Sequence, residues 1–239
     1  MGEPKNHKGT LSNPKNAIGK TGRSDRYQGS TFNMERTDGE HSNFSSLTDE
    51  DFSTLNEKVS DALRKAGINP EEGKLMITDN AIQFEIKDTV TIRRVYNAET
   101  KTMEHDIFEI NDTEKQGRGV SKAVHRALMP IYEKLGIEKI DLYAAEQNGG
   151  YTWAKYGFRV SYNEIKYYPR EMKSHKEEAQ KIINDFYATH PRTERFPIKI
   201  LADKPWGKEA MSGSTWFGDL DLTNPTERAD FCSYIGYKR

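Results

Sequence analysis

Gln116-Gly117-Arg118-Gly119-Val120-Ser121 is the stretch whose residue types and spacing could do chemistry. It follows a run of β-formers, Ile107, Phe108 and Ile110, and two turn formers, Asn111 and Asp112. A helical pattern then sets in: Ala123, Val124, Ala127, Leu128, Ile131, Tyr132 and Leu135 recur at i, i+3, i+4 and i+7, and Gly136 supplies the stop. The spacing predicts strand, glycine turn and helix. The first N–H groups of a helix lack partners and carry partial positive charge, and glycines let a phosphate approach that backbone closely. Arg118 and Lys122 add charge nearby. The same spacing also makes an ordinary strand-to-helix turn with two glycines.

The elements that must position this turn read as follows. Thr48-Asp49-Glu50-Asp51 is a helix start, and Phe52, Leu55, Val59, Leu63 and Ala66 repeat at helical spacing before Gly67. Leu75–Ile77, Ile82–Ile86 and Val90–Tyr96 read as antiparallel strands, with a fourth beginning near Met103. After the helix that ends at Gly136, Ile140–Tyr143 is the next strand, and a helical crossover between two strands favours a parallel pair. Asn148-Gly149-Gly150 is a turn and helix entry, Tyr151–Tyr156 a short helix, and Arg159–Tyr162 the last core strand.

Gln116-x-x-Gly119-x-Ser121 resembles the Q/R-x-x-G-x-G/A signature of the GNAT (GCN5-related N-acetyltransferase) family, with Ser121 where Gly or Ala is usual. Tyr156-Gly157-Phe158 is similar to that family's "GF" strand entry. The likeness covers residues 74 to 162. It implies an α/β fold: a mixed, splayed central sheet flanked by helices, here with a C-terminal α/β extension. It implies acetyl-CoA as co-substrate and an amine as acceptor. The diphosphate would lie on Gln116, Gly117, Arg118, Gly119, Val120 and Ser121. The pantetheine arm would pair with the backbone of Phe108, Glu109 and Ile110 like an added strand. The family's Asn after the fifth strand corresponds to Asn148.

Attack on a thioester needs an amine without its extra proton, hence a base. The family's carboxylate on the fourth strand has three candidates here, Glu104, Asp106 and Glu109. Strand parity puts Glu104 and Asp106 on the face of Ile110 and Glu109 on the other. Glu104 is the favoured base, and His105 a further candidate by its near-neutral pKa. The family's proton-donating Tyr falls at Trp153, which reads better as core packing, so Tyr151 becomes the candidate donor. No metal is required. The alternative is a catalytically inactive GNAT-fold structural or interaction protein, to which the long extensions point.

Bulk properties set the outer bounds. The 239 residues suit one domain with extensions or two small domains. Residues 1–45 read as a disordered polar tail, 46–168 as the GNAT-like domain and 169–239 as an extension packed on that core. A net charge of −1 argues against a strong grip on nucleic acid, except through the tail, where Lys5, Lys8, Lys15, Lys20, Arg23 and Arg26 cluster. Cys232 is the single cysteine, which excludes an internal disulfide and a cysteine-based zinc site and fits a reducing, cytoplasmic setting. No apolar run is long enough for a bilayer. Residues 171–239 carry a faint likeness to extensions beside GNAT-like domains of bacteriophage head-associated proteins, which implies a virion-associated setting. Asp219 and Asp221 alternate on one predicted strand, a metal pair by spacing alone with no histidine beside it.

Overall fold

The computed structural model describes residues 29–238, except for the side chains of residues 146–148. Among the described residues the centre is one mixed sheet of nine strands, with helices packed against it. The strands are β1 (Asn33–Arg36), β2 (Lys74–Ile77), β3 (Ala81–Ile86), β4 (Val90–Asn97), β5 (Thr102–Ile110), β6 (Lys139–Ala144), β7 (Arg159–Val160), β8 (Phe196–Pro197) and β9 (Trp216–Asp221). They lie in the order β1-β2-β3-β4-β5-β6-β9-β7-β8. The helices are α1 (Asp49–Lys65), α2 (Val120–Leu135), α3 (Glu146–Lys155), α4 (Tyr162–Ile165), α5 (Lys176–Thr189), α6 (Lys199–Ala202), α7 (Gly207–Met211) and α8 (Pro225–Ile235).

Local chemistry explains the long elements. Thr48 and Asp51 form a reciprocal capping box at α1, whose first turn is acidic and whose last carries Arg64 and Lys65. Its stripe of Phe52, Leu55, Val59 and Leu63 is fully buried, partly against α2. β3 and β4 alternate buried and half-buried residues as strands with one covered face do. α2 buries Val124, Leu128, Ile131 and Tyr132 and stops at Gly136, which holds a left-handed φ of 65°.

Two expectations about domain limits change. Residues 29–45 are part of the fold, not tail. β1 pairs in parallel with β2, and Phe32 and Phe44 are core residues. Asn56 on α1 clasps the Phe32 backbone: its Nδ2 donates to the Phe32 carbonyl at 2.9 Å and its Oδ1 accepts from the Phe32 N–H at 3.2 Å. Phe44 meets the Phe52 ring edge to face at 6.3 Å. Two aromatics are enough to anchor a segment whose average composition is polar. The basic residues from Lys5 to Arg26 lie outside the described residues.

The C-terminal part is likewise not an appendage. All six residues of β9 pair antiparallel with β6, from Lys139 opposite Asp221 to Ala144 opposite Trp216. β9 thus sits inside the sheet, between β6 and β7. The expected strand Arg159–Tyr162 is only two residues long, because the Ser161 hydroxyl accepts the Glu164 N–H and starts α4. The Asn148-Gly149-Gly150 turn is absorbed into α3. Gly150 is needed there for close approach: a Cβ would lie 2.5 Å from the Ser214 carbonyl oxygen.

Candidate functional site

β5 and β6 pair in parallel only from Thr102–Lys139 to His105–Leu142. Beyond that point β5 stays with β4 as far as Ile110, and β6 stays with β9 as far as Ala144. The sheet divides there into two halves. The edge formed by Asp106 to Ile110 faces the gap with no ladder to β6. The chain leaves that edge through the glycine turn and re-enters as α2.

The turn is held by side chains and leaves its backbone open. Gln116 Nε2 donates to the Ile110 carbonyl at 2.8 Å, and Arg118 Nε donates to the Glu114 carbonyl at 2.9 Å. Arg118 also reaches the Ala66 carbonyl at the end of α1, at 3.4 Å. Gly117 and Gly119 adopt φ of 70° and 80°, and a Cβ added at either would meet open space. Only glycine takes this left-handed conformation freely. The first bond into α2 runs from the Ala123 N–H to the Gly119 carbonyl. Among the described residues, the N–H groups of Val120, Ser121 and Lys122 find no protein acceptor. α2 also lacks a side-chain cap and any acidic residue in its first turn, whereas α1 has both. The N-terminus of a sixteen-residue helix is therefore left without a compensating cap or first-turn acid of its own.

A β-bulge reshapes β5. Pairing passes from Val95–Glu104 to Arg93–Ile107, so three steps on β5 match two on β4. Parity flips at the extra residue. Glu104, Ile107 and Glu109 share one face, and Phe108 and Ile110 look toward the other, opposite Ile92 and Val90. The expectation that Glu104 and Glu109 lie on opposite faces is corrected by this bulge, because counting in twos assumes a regular strand.

Arg94 pins the bulge from beneath. Its guanidinium is buried, and Nη1 donates to the Arg93 carbonyl at 2.7 Å and the Ile107 carbonyl at 2.8 Å. Its Nε and Nη2 have no hydrogen-bond partner among the described residues. Burial lowers its pKa. His105 lies beside it, with Nε2 2.9 Å from the Tyr132 hydroxyl and Nδ1 3.3 Å from His125 Nε2. Burial first, then the Arg94 charge, holds His105 well below its usual pKa, and the same two causes bring His125 to about 3. His105 is thus a neutral core residue on the α2 side, not an exposed base.

The candidate acid and base positions fall as follows. Glu104 is exposed, has no cationic partner among the described residues, and lines a cavity of about 950 Å³ on the sheet face turned away from α2. Asp106 pairs with Arg93. Tyr151 is half-buried against the core. The hydroxyl that reaches the turn belongs to Tyr156, 2.6 Å from the Ser121 Oγ. Burial pushes this phenol far up. In the sequence Tyr156 carries no role beyond ending the short helix and opening the Tyr156-Gly157-Phe158 run, and that position beside "GF" is the available signal. Trp153 itself is 8% exposed and packs among His105, Phe108, His125 and Phe158. The side chain of Asn148 lies outside the described residues. Asp219 pairs with Arg195, and Asp221 accepts from the Thr223 and Asn224 backbones, so each has a local role.

No helix among the described residues is long and apolar enough to cross a membrane. No family model, curated protein or solved structure gives a match to this chain.

Proposed function

We propose that the chain is a GNAT-type acyltransferase, moving an acetyl group from acetyl-CoA to an amine. The observation that carries the proposal is the parting of β5 from β6 after His105, with the unpaired amides of Val120, Ser121 and Lys122 beyond the end of β5. A diphosphate on those amides would leave a pantetheine arm running into the gap along Phe108, Glu109 and Ile110. Gln116, Gly117, Arg118 and Gly119 give the turn its shape and its charge. Because fold alone does not establish chemistry, the proposal stands on the split edge and the open amides together.

The chemistry balances without a metal. An ammonium group gives one proton to Glu104 and becomes an amine. Its nitrogen attacks the thioester carbonyl carbon. A C–N bond forms, the C–S bond breaks, and the thiolate leaves and takes a proton from solvent. Glu104 suits the first step because it is exposed, lines the cavity and is not committed to a cation among the described residues.

A second reading, a GNAT-fold protein without chemistry, draws on one observation. The hydroxyl that reaches the turn, that of Tyr156, is 2% exposed and engaged by Ser121, so it is not presented as a proton donor, and Tyr151 is half-buried against the core. Titration with acetyl-CoA followed by turnover on a panel of amines separates the two readings. Saturable binding with amide formation supports the transferase. Binding with no product on any amine supports the second reading, and absence of binding removes the transferase.

A further inference from the structure

The cavity of about 950 Å³ crosses five strands, from Val95 on β4 to Arg159 on β7. Its floor is a single cross-strand row. Glu104 lies opposite Asp141, Asp141 opposite Asp219, and Asp219 opposite Arg159. The adjacent row, Met103, Ile140 and Leu220, is completely buried on the α2 side. Side chains alternate across a sheet, so the three carboxylates all face the cavity, about 4.8 Å apart from strand to strand.

Like charges directly opposite each other destabilise a sheet. This row places three in succession. Internal cations answer two of them: Lys139 lies 3.1 Å from Asp141, and Arg195 pairs with Asp219. Arg159 is drawn instead to the buried Glu227, at 3.3 Å. Among the described residues Glu104 is left without a cation, and so are Glu99 and Glu164, which line the same cavity. At its rim Tyr143 and Phe217 stack at 4.4 Å while remaining 48% and 58% exposed. An exposed aromatic pair in that position offers a face to a cation.

We infer that this sheet face binds the acceptor, and that the acceptor is a linear aliphatic polyamine lying across the strands. One terminal amine reaches Glu104, a second ammonium lies over the Tyr143–Phe217 pair beside Asp141, and the alkyl spacer covers the apolar part of the trough. The uncompensated carboxylates ask for more than one positive charge. The aromatic pair asks for a cation with weakly hydrated methylenes around it. The inference rests on the acyl-transfer reading, because it names that reaction's acceptor.

The test is calorimetry at low salt with spermidine and, separately, with coenzyme A, followed by mass spectrometry of spermidine incubated with acetyl-CoA. Four proteins are compared: the unchanged chain, Asp141→Asn, Phe217→Ala, and Glu57→Gln on the exposed side of α1. The expected result is one saturable spermidine site and a monoacetylated product. Asp141→Asn and Phe217→Ala each weaken spermidine by about tenfold, Glu57→Gln leaves it unchanged, and all four bind coenzyme A equally. If coenzyme A binds and spermidine does not saturate, the inference is overturned and the transfer reading stands. It is overturned equally if Glu57→Gln weakens spermidine as much as Asp141→Asn, since the attraction is then diffuse. Acetylation of a lysine peptide in preference to spermidine also overturns it. Absence of coenzyme A binding overturns the transfer reading and, with it, the acceptor assignment.

Discussion

The hydroxyls of Tyr156 and Ser121 lie 2.6 Å apart and join the end of α3 to the first turn of α2. One residue belongs to the glycine turn, and the other is 2% exposed in the core. The turn that leaves its amides open to solvent is therefore fixed from behind by a part-buried bond. His125 reinforces it, with Nδ1 2.6 Å from the Ser121 carbonyl.

Tyr156→Phe removes that bond and leaves the Ser121 hydroxyl without its partner. The expected loss is about 1 kcal/mol of stability, read as a lower urea midpoint with an unchanged slope. Coenzyme A affinity should fall as well, because the turn loses its rear support. A midpoint within error of the unchanged protein would show that the bond does not hold the turn.

Acid should destabilise the fold through the buried histidines. His125 has a pKa near 3 when folded and an ordinary value near 6.5 when unfolded. Between those values the unfolded chain takes up a proton that the native state refuses. Stability is therefore complete above about pH 6.5 and is lost as pH falls toward 3. From pH 7 to pH 5 the loss from His125 is on the order of 2 kcal/mol, with His105 adding in the same direction. Urea unfolding of the unchanged chain and of His125→Gln at the two pH values checks this. The variant should show the shallower fall, and parallel falls would contradict the assignment of a buried neutral histidine.

Truncation before β9 should ruin the fold. Without Trp216–Asp221, β6 loses its antiparallel partner over its whole length, and buried Ile140 and Leu142 lose a neighbouring strand. Residues 46–168 expressed alone should be insoluble or lack cooperative unfolding. A well-dispersed amide spectrum from that fragment would restore the boundary expected from sequence.

Phe44→Ala should cost about 3–5 kcal/mol, as removal of a fully buried ring does. A change below about 1 kcal/mol in urea unfolding would return residues 29–45 to the status of a tail.

Much of this fold can be read locally. The cap at Thr48, the stripe from Phe52 to Leu63, the alternation of Ile82–Ile86 and the stop at Gly136 each need only nearby residues. The rest depends on partners distant in the chain. The bulge at His105–Asp106 exists only relative to Arg93–Val95, and it inverts the parity that a regular strand would have. The row Glu104–Asp141–Asp219 joins three strands far apart in sequence, the last of them in the segment expected to be an extension. Arg94 keeps the inward parity of Val90, Ile92 and Tyr96, but the Ile107 carbonyl that accepts from it lies on another strand, at the bulge. At the glycine turn the residues are legible, whereas the open backbone around them depends on what the rest of the fold leaves unfilled.

The most direct measurement is calorimetric titration of coenzyme A into the unchanged chain, Gly119→Asn and Gly119→Asp. Both substitutions tolerate the left-handed φ of 80° about equally and differ by one negative charge at the turn. If the open amides hold a diphosphate, the unchanged chain binds saturably, the Asn variant binds within a few fold of it, and the Asp variant loses at least about tenfold more. No binding to the unchanged chain, or equal affinity of the two variants, would contradict that role for the turn.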